Sequence, residues 1–139
     1  MKTIKIKITL TCWKKELVWR VIEIPENKTL HQLHCAIQKT FGWYNDHLYS
    51  FFMSNNRIDR KGEYTSPIDF EESGEDALLA TEIKLKDLNL QLKRKFLYLY
   101  DFGDNLDHEI EVVGFGETDD FYKYPQLIGA FGAPPEQYA

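Results

Sequence analysis

Apolar and polar positions alternate from the first residues of the chain. Ile4, Ile6, Ile8 and Leu10 are interleaved with Lys5, Lys7 and Thr9, the period-two pattern of a strand with one wet face. Lys14 and Lys15 mark a connection. Glu16 to Ile24, dense in Val18, Trp19, Val21 and Ile22, predicts a second strand that stops at Pro25, which has no ladder donor. The short link between them predicts an antiparallel hairpin. The period then changes. Leu30, Leu33, Ile37 and Phe41 recur at helical spacing, Thr29 and Gln32 fit a capping box, and Gly42 supplies a stop. A helix over 29–41 is predicted, with Leu33 and Ile37 on its buried stripe and Gln38 off it.

Trp43, Tyr44, Asn45 and Asp46 read as a turn, and His47 to Met53 as a third strand. The stretch 55–76, with Gly62, Pro67 and Gly74, reads as a polar insertion. Ile83, Leu85 and Leu88 suggest a short helix or turn. A hairpin follows: Phe96 to Phe102 alternates aromatic and branched residues, Gly103, Asp104 and Asn105 break the run, and the return strand sets His108, Ile110 and Val112 against Asp107, Glu109 and Glu111. A one-residue slip would bury three carboxylates, so the register is firmly set. From about residue 114 the chain is rich in Gly and Pro and is expected to be irregular. The pattern predicts a single α+β domain over 1–139. Its predominantly antiparallel sheet has about five strands, with one main helix packed on a face and a β-grasp-like order as an option.

Composition narrows the function classes. At 139 residues, 43% hydrophobic and 14% aromatic, the chain has the material for one packed core. The net charge of −5 opposes nonspecific attachment to nucleic acid or anionic membrane. Cys12 and Cys35 form no paired motif and read as reduced thiols, and the alternating start is a strand rather than an apolar signal core. No apolar run reaches membrane-spanning length. A cytoplasmic, non-membrane protein is the expectation.

Three groups of side chains carry candidate chemistry. His34, His47, Asp101, Asp104 and His108 form the first. Imidazole with carboxylate suits a divalent metal or acid–base work, and the plain alternative is a set of structural hydrogen bonds. Asp101 needs a partner if its carboxylate turns inward, with His34 or His108 as the candidates. Trp19, Trp43, Tyr44 and Tyr100, with Trp13, are candidate groove aromatics, or core. Lys2, Lys5, Lys7, Lys14 and Lys15, with Lys93, Arg94 and Lys95, are a candidate basic patch, or a solvated strand face. No phosphate loop, nucleophile elbow or dinucleotide fingerprint is present, and no cofactor is predicted beyond an optional divalent metal.

Three segments together resemble the plasmid pRiA4b ORF-3-like family: Val18-Trp19-Arg20 through Pro25; Leu30, Leu33, His34, Ile37, Gly42, Trp43, His47 and Leu48; and Tyr98 through Glu111 with its Tyr-Asp-Phe-Gly-Asp turn and the His108-Glu109 pair. Tyr64, Pro67, Tyr124-Pro125 and the Gly132-to-Glu136 stretch fit more loosely. The resemblance implies a compact α+β domain with no established activity, and the family's name records a gene location rather than a reaction. An associated insertion-element passenger, or resolvase-like, label would need an activated nucleophile among arginines. The four arginines here, at 20, 57, 60 and 94, accompany none. Many family members carry cysteines where this chain has Leu127 and Ala133. A binding or interaction module with a protein, peptide or small-molecule partner is the leading expectation. A metal-dependent enzyme and a nucleic-acid-associated accessory protein of a mobile element are the alternatives.

Overall fold

Among the described residues one mixed sheet of eight strands carries a single long helix on one face. The computed structural model describes residues 1–11, 17–45, 47–55, 62–66, 78–101, 106–119 and 125–134. In chain order the elements are β1 (Lys2–Leu10), β2 (Trp19–Pro25), α1 (Leu30–Phe41), β3 (Tyr49–Phe52), β4 (Glu63–Thr65), β5 (Leu78–Leu79), a short 3-10 helix (Leu85–Leu88), β6 (Lys95–Tyr100), β7 (Leu106–Glu117) and β8 (Gln126–Phe131). The sheet order is β5-β4-β3-β6-β7-β1-β2-β8. Among the described strands only the β4–β5 pair is parallel.

The opening hairpin, the helix and the β6–β7 hairpin form where the periodicity places them. Ile4, Ile6, Ile8 and Leu10 are buried, as are His108, Ile110 and Val112, while the alternating carboxylates of β7 are half-buried on the other face. Ile22, Ile24, Phe51, Phe96 and Tyr98 join them beneath Leu30, Leu33, Ile37 and Phe41 in one core cluster.

Two expectations are overturned. The sheet has eight strands rather than about five, and β1 lies antiparallel to β7, so the parallel central pair of a β-grasp is absent. The extra strands come from stretches that read as loop. β4 lies inside the 55–76 insertion, and the supposedly irregular stretch from 114 continues β7 to Glu117 and adds β8. Gly114 and Gly116 are there for space rather than for flexibility. A Cβ on Gly116 would sit 2.8 Å from Glu23 Oε2 and 2.9 Å from Thr3 Oγ1, the pair whose 2.6 Å hydrogen bond joins β2 to β1. A Cβ on Gly114 would press on the Lys5 side chain at 3.2 Å. Sequence periodicity sees a missing side chain at these positions and cannot see the neighbour that occupies its place.

Both ends of α1 are fully tied. Thr29 Oγ1 accepts from Gln32 N while Gln32 Oε1 accepts from Thr29 N, completing the capping box. Leu30 N donates to Ile83 O and His31 N to Ala80 O, so the first-turn donors are spent on protein rather than on an anion. At the other end Gly42 takes φ 72°. Its N–H donates to Lys39 O and that of Trp43 to Gln38 O, a Schellman turn that folds the chain back along the helix.

Leu33 and Ile37 have no exposed surface. Leu33→Ala or Ile37→Ala is predicted to cost about 2–5 kcal/mol in a urea titration, while exposed Lys39→Ala costs under about 0.5 kcal/mol. Equal losses at all three would show that α1 presents a different face to the sheet.

Candidate functional site

The Schellman turn sets up a polar cluster inside the aromatic core. Folding back past Gly42, the chain brings Asn45 beside the helix in the left-handed conformation, φ 54°, which Asn tolerates better than most residues. Asn45 N–H donates to Gln38 Oε1 at 3.1 Å. Gln38 Nε2 donates to Tyr98 Oη at 2.9 Å. Tyr98 Oη lies 2.6 Å from His34 Nδ1, and His34 Nε2 lies 2.5 Å from Asn45 Oδ1. A carbonyl oxygen only accepts, so His34 carries its proton on Nε2 and its bare Nδ1 accepts from the tyrosine. The four side chains and one backbone N–H form a closed, one-directional ring.

Rings pack the His34 and Tyr98 end of this network, and Asn45 stands at its exposed end. Tyr49 stacks flat on His34, with centroids 3.7 Å apart, and its hydroxyl is 2.7 Å from His31 Nδ1. His31 Nε2 reaches Cys35 Sγ at 3.7 Å. Burial holds the His34 pKa down at about 4, against an ordinary 6.5, with a smaller push from His31 in the same direction. Burial also lowers His31 and raises the Cys35 thiol and the phenols of Tyr49 and Tyr98. The cluster is therefore neutral near pH 7: imidazoles unprotonated, thiol and phenols protonated.

His108 sits on β7 against Phe41, Trp43 and Tyr98, with centroids 5.1–5.3 Å away. Its Nδ1–H donates to the Tyr98 carbonyl at 3.2 Å, and Nε2 is buried with no hydrogen-bond partner. A proton there would be wholly desolvated, which lowers its pKa to about 3. Neither His34 nor His108 is the partner of Asp101. That carboxylate is buried, its residue is at φ 60°, and His47 Nε2 lies 3.4 Å from it. His47 is closer to the surface and packs its ring edge-on to Tyr100. Among the described residues no three His, Cys, Asp or Glu side chains are grouped to hold a metal. Asp104 lies outside the described residues.

The candidate groove aromatics do not share a groove. Trp43 and Tyr100 are core, stacked on each other at 5.8 Å. Tyr44 is exposed. Trp19 lies on the sheet face away from α1, stacked on Phe131 with Lys7 Nζ 5.0 Å above its ring. Trp13 lies outside the described residues. The described part of the candidate basic patch is interleaved with acids: Lys5 is opposite Glu23, Lys7 is opposite Glu111, and Lys95 Nζ is 3.6 Å from Glu109, while Lys14 and Lys15 lie outside the described residues.

A concave feature of the surface lies elsewhere, where the ends of β1 and β7 meet the 85–91 segment. It is a half-open cleft of about 590 Å³. Ile4, Leu85, Leu90 and Phe115 give it apolar walls, and Lys2, Glu26, Lys86, Glu117, Asn89 and Gln91 a polar rim. Sequence reasoning passed over it because its residues come from four separate stretches and none is chemically distinctive alone. The Tyr98 and Asn45 partners of His34 were missed for the same reason.

The chain belongs to the plasmid pRiA4b ORF-3-like protein family, matched over residues 2–139. It is 31% identical over 110 residues to the uncharacterized protein y4hQ of Sinorhizobium fredii, covering 78% of this chain and 52% of that one. The chain thus spans about half the length of that curated relative. Its fold is similar to the crystal structure of MM3350, a protein of unknown function from Methanosarcina mazei Go1, with a TM-score of 0.81 at 26% identity, over 99% of this chain and 73% of the other. No activity is established for either relative.

Two outcomes follow from the ring. Gln38→Ala, on a residue that periodicity alone places off the buried stripe, is expected to cost about 1–3 kcal/mol in a denaturant melt, because it strips partners from Tyr98 and Asn45. A cost within error of zero would contradict the ring. The pKa of His34 is lower folded than unfolded, so its contribution is fully present above pH 6.5 and is lost as pH falls through about 4. That contribution is about 3 kcal/mol, and His108 acts in the same direction. Stability measured by urea titration should drop between pH 6.5 and 4, and His34→Asn should flatten that drop.

Proposed function

We propose that the protein is a binding module and that the cleft beside β1 and β7 is its ligand site, with the imidazole–tyrosine ring serving as the scaffold that seats α1. The observation that supports this most is the division of polar groups. Both nitrogens of His34 are spent on protein partners, and the His108 lone pair faces a sealed aromatic pocket. Neither is placed to exchange protons with a substrate or to bind a metal from solution. The cleft, by contrast, offers a preformed concavity of ordinary ligand-site size, with apolar walls and a few polar groups. The reading needs no link to a mobile element, and the interleaved charge on β1 gives nucleic acid no continuous basic stripe. No helix among the described residues is long and apolar enough to cross a membrane.

A fragment screen followed by amide NMR shifts tests the reading. Hits should move Ile4, Leu85, Leu90 and Phe115 and leave Cys35 and Asn45 in place. Shifts centred on His31, Cys35 and Asn45 would relocate the site to the network. Protein purified without chelator should melt at the same temperature with and without EDTA. A lower melting temperature in EDTA would restore the metal-dependent alternative.

A further inference from the structure

We infer that the cleft takes a short peptide, a di- or tripeptide with free ends and apolar side chains. This rests on the binding reading above and adds the class of ligand. The cleft rim holds two ammonium groups, Lys2 and Lys86, and two carboxylates, Glu26 and Glu117. Among the described residues none of these four side chains makes an ion pair or a hydrogen bond. Lys2 and Glu117 even stand opposite each other in the β1–β7 register without pairing.

Main-chain hydrogen bonds bring three of the four residues together. Glu26 N donates to Lys2 O at 3.0 Å, and Lys86 N donates to Glu26 O at 2.9 Å. Four unpaired charges that sum to zero do not complement a plain anion or a plain cation. They complement a ligand that carries both signs at once. The walls add the other requirement. Leu85 and Leu90 are buried beneath the opening, and Phe115 is half exposed at its edge, so the body of the ligand must be apolar.

The amides fit a peptide in particular. Gln91 Nε2 donates to Asn89 Oδ1 at 3.0 Å. That leaves Gln91 Oε1 free to accept from a peptide N–H, and Asn89 Nδ2 free to donate to a peptide carbonyl. A single amino acid has no peptide group to use them and would leave much of the 590 Å³ empty. A blocked or internal segment of a longer chain would leave the charged rim without partners.

The test titrates the dipeptide leucyl-phenylalanine, its N-acetyl form and its C-terminal amide into labelled protein, following the Leu90 and Phe115 amides. The free dipeptide should bind about tenfold or more tightly than either blocked form, the scale of one charge-assisted hydrogen bond. Glu26→Gln should erase the preference for a free amine, and Lys86→Gln the preference for a free carboxylate. Both residues carry solvent-facing charges, so neither variant should unfold the protein, and matching melts would verify this. Equal binding of blocked and free forms at the same amides overturns end recognition while leaving the cleft a binding site. No shift from any of the three overturns the peptide class, and the fragment screen then decides separately whether the cleft binds anything.

Discussion

A phenol buried at the centre of a sheet must both donate and accept, and Tyr98 imposes that requirement on everything around it. It has no exposed surface and stands on β6 between β3 and β7. Left unbonded, such a hydroxyl would cost on the order of 1–3 kcal/mol. Its acceptor is His34 and its donor is Gln38, four residues apart and so on one side of α1. That spacing fixes the rotation of the helix about its own axis. Leu33 and Ile37 then point into the aliphatic floor made by β1, β2 and β7, and Phe41 reaches His108 and Trp43. The hydrophobic effect supplies the driving force for packing α1 on the sheet, but it is not directional. The ring supplies the direction.

The ring also explains why the turn after α1 matters. Asn45 closes it with both a backbone N–H and a side-chain oxygen, and can do so only because the Schellman turn at Gly42 returns the chain toward Gln38 and His34. In the low-dielectric interior a fully satisfied network of this kind rigidifies what it joins. The cleft at the far ends of β1 and β7 makes no such closed set. Its charges face outward unpaired, which is the usual contrast between a structural polar cluster and a recognition surface.

The parts of the fold that were legible in the sequence are those that local pattern controls. The Ile4-to-Leu10 alternation, the Thr29–Gln32 capping box, the Leu33–Ile37 stripe and the β7 alternation of His108, Ile110 and Val112 depend on neighbours within a few residues. What depended on distant neighbours was not legible. Gly114 and Gly116 read as irregular chain because their missing side chains are matched to Lys5, Glu23 and Thr3, over a hundred positions back in some cases. His34 is buried on α1 and hydrogen-bonded, yet its partner Tyr98 is 64 positions away. Asp101 pairs with His47, which the hairpin pattern gave no reason to prefer over His34 or His108. Gln38 looked peripheral because helical periodicity counts apolar residues, and a buried amide is invisible to it.

The most direct test of the ring is the protonation of the His34 imidazole itself, read from the long-range proton–nitrogen spectrum of nitrogen-labelled protein across pH. The structure requires the neutral form with its proton on Nε2 near pH 7, unchanged until the pH approaches about 4. A His34 that carries its proton on Nδ1, or that titrates near its ordinary value of 6.5, would mean that the Tyr98–His34–Asn45 hydrogen bonds do not run as a closed ring.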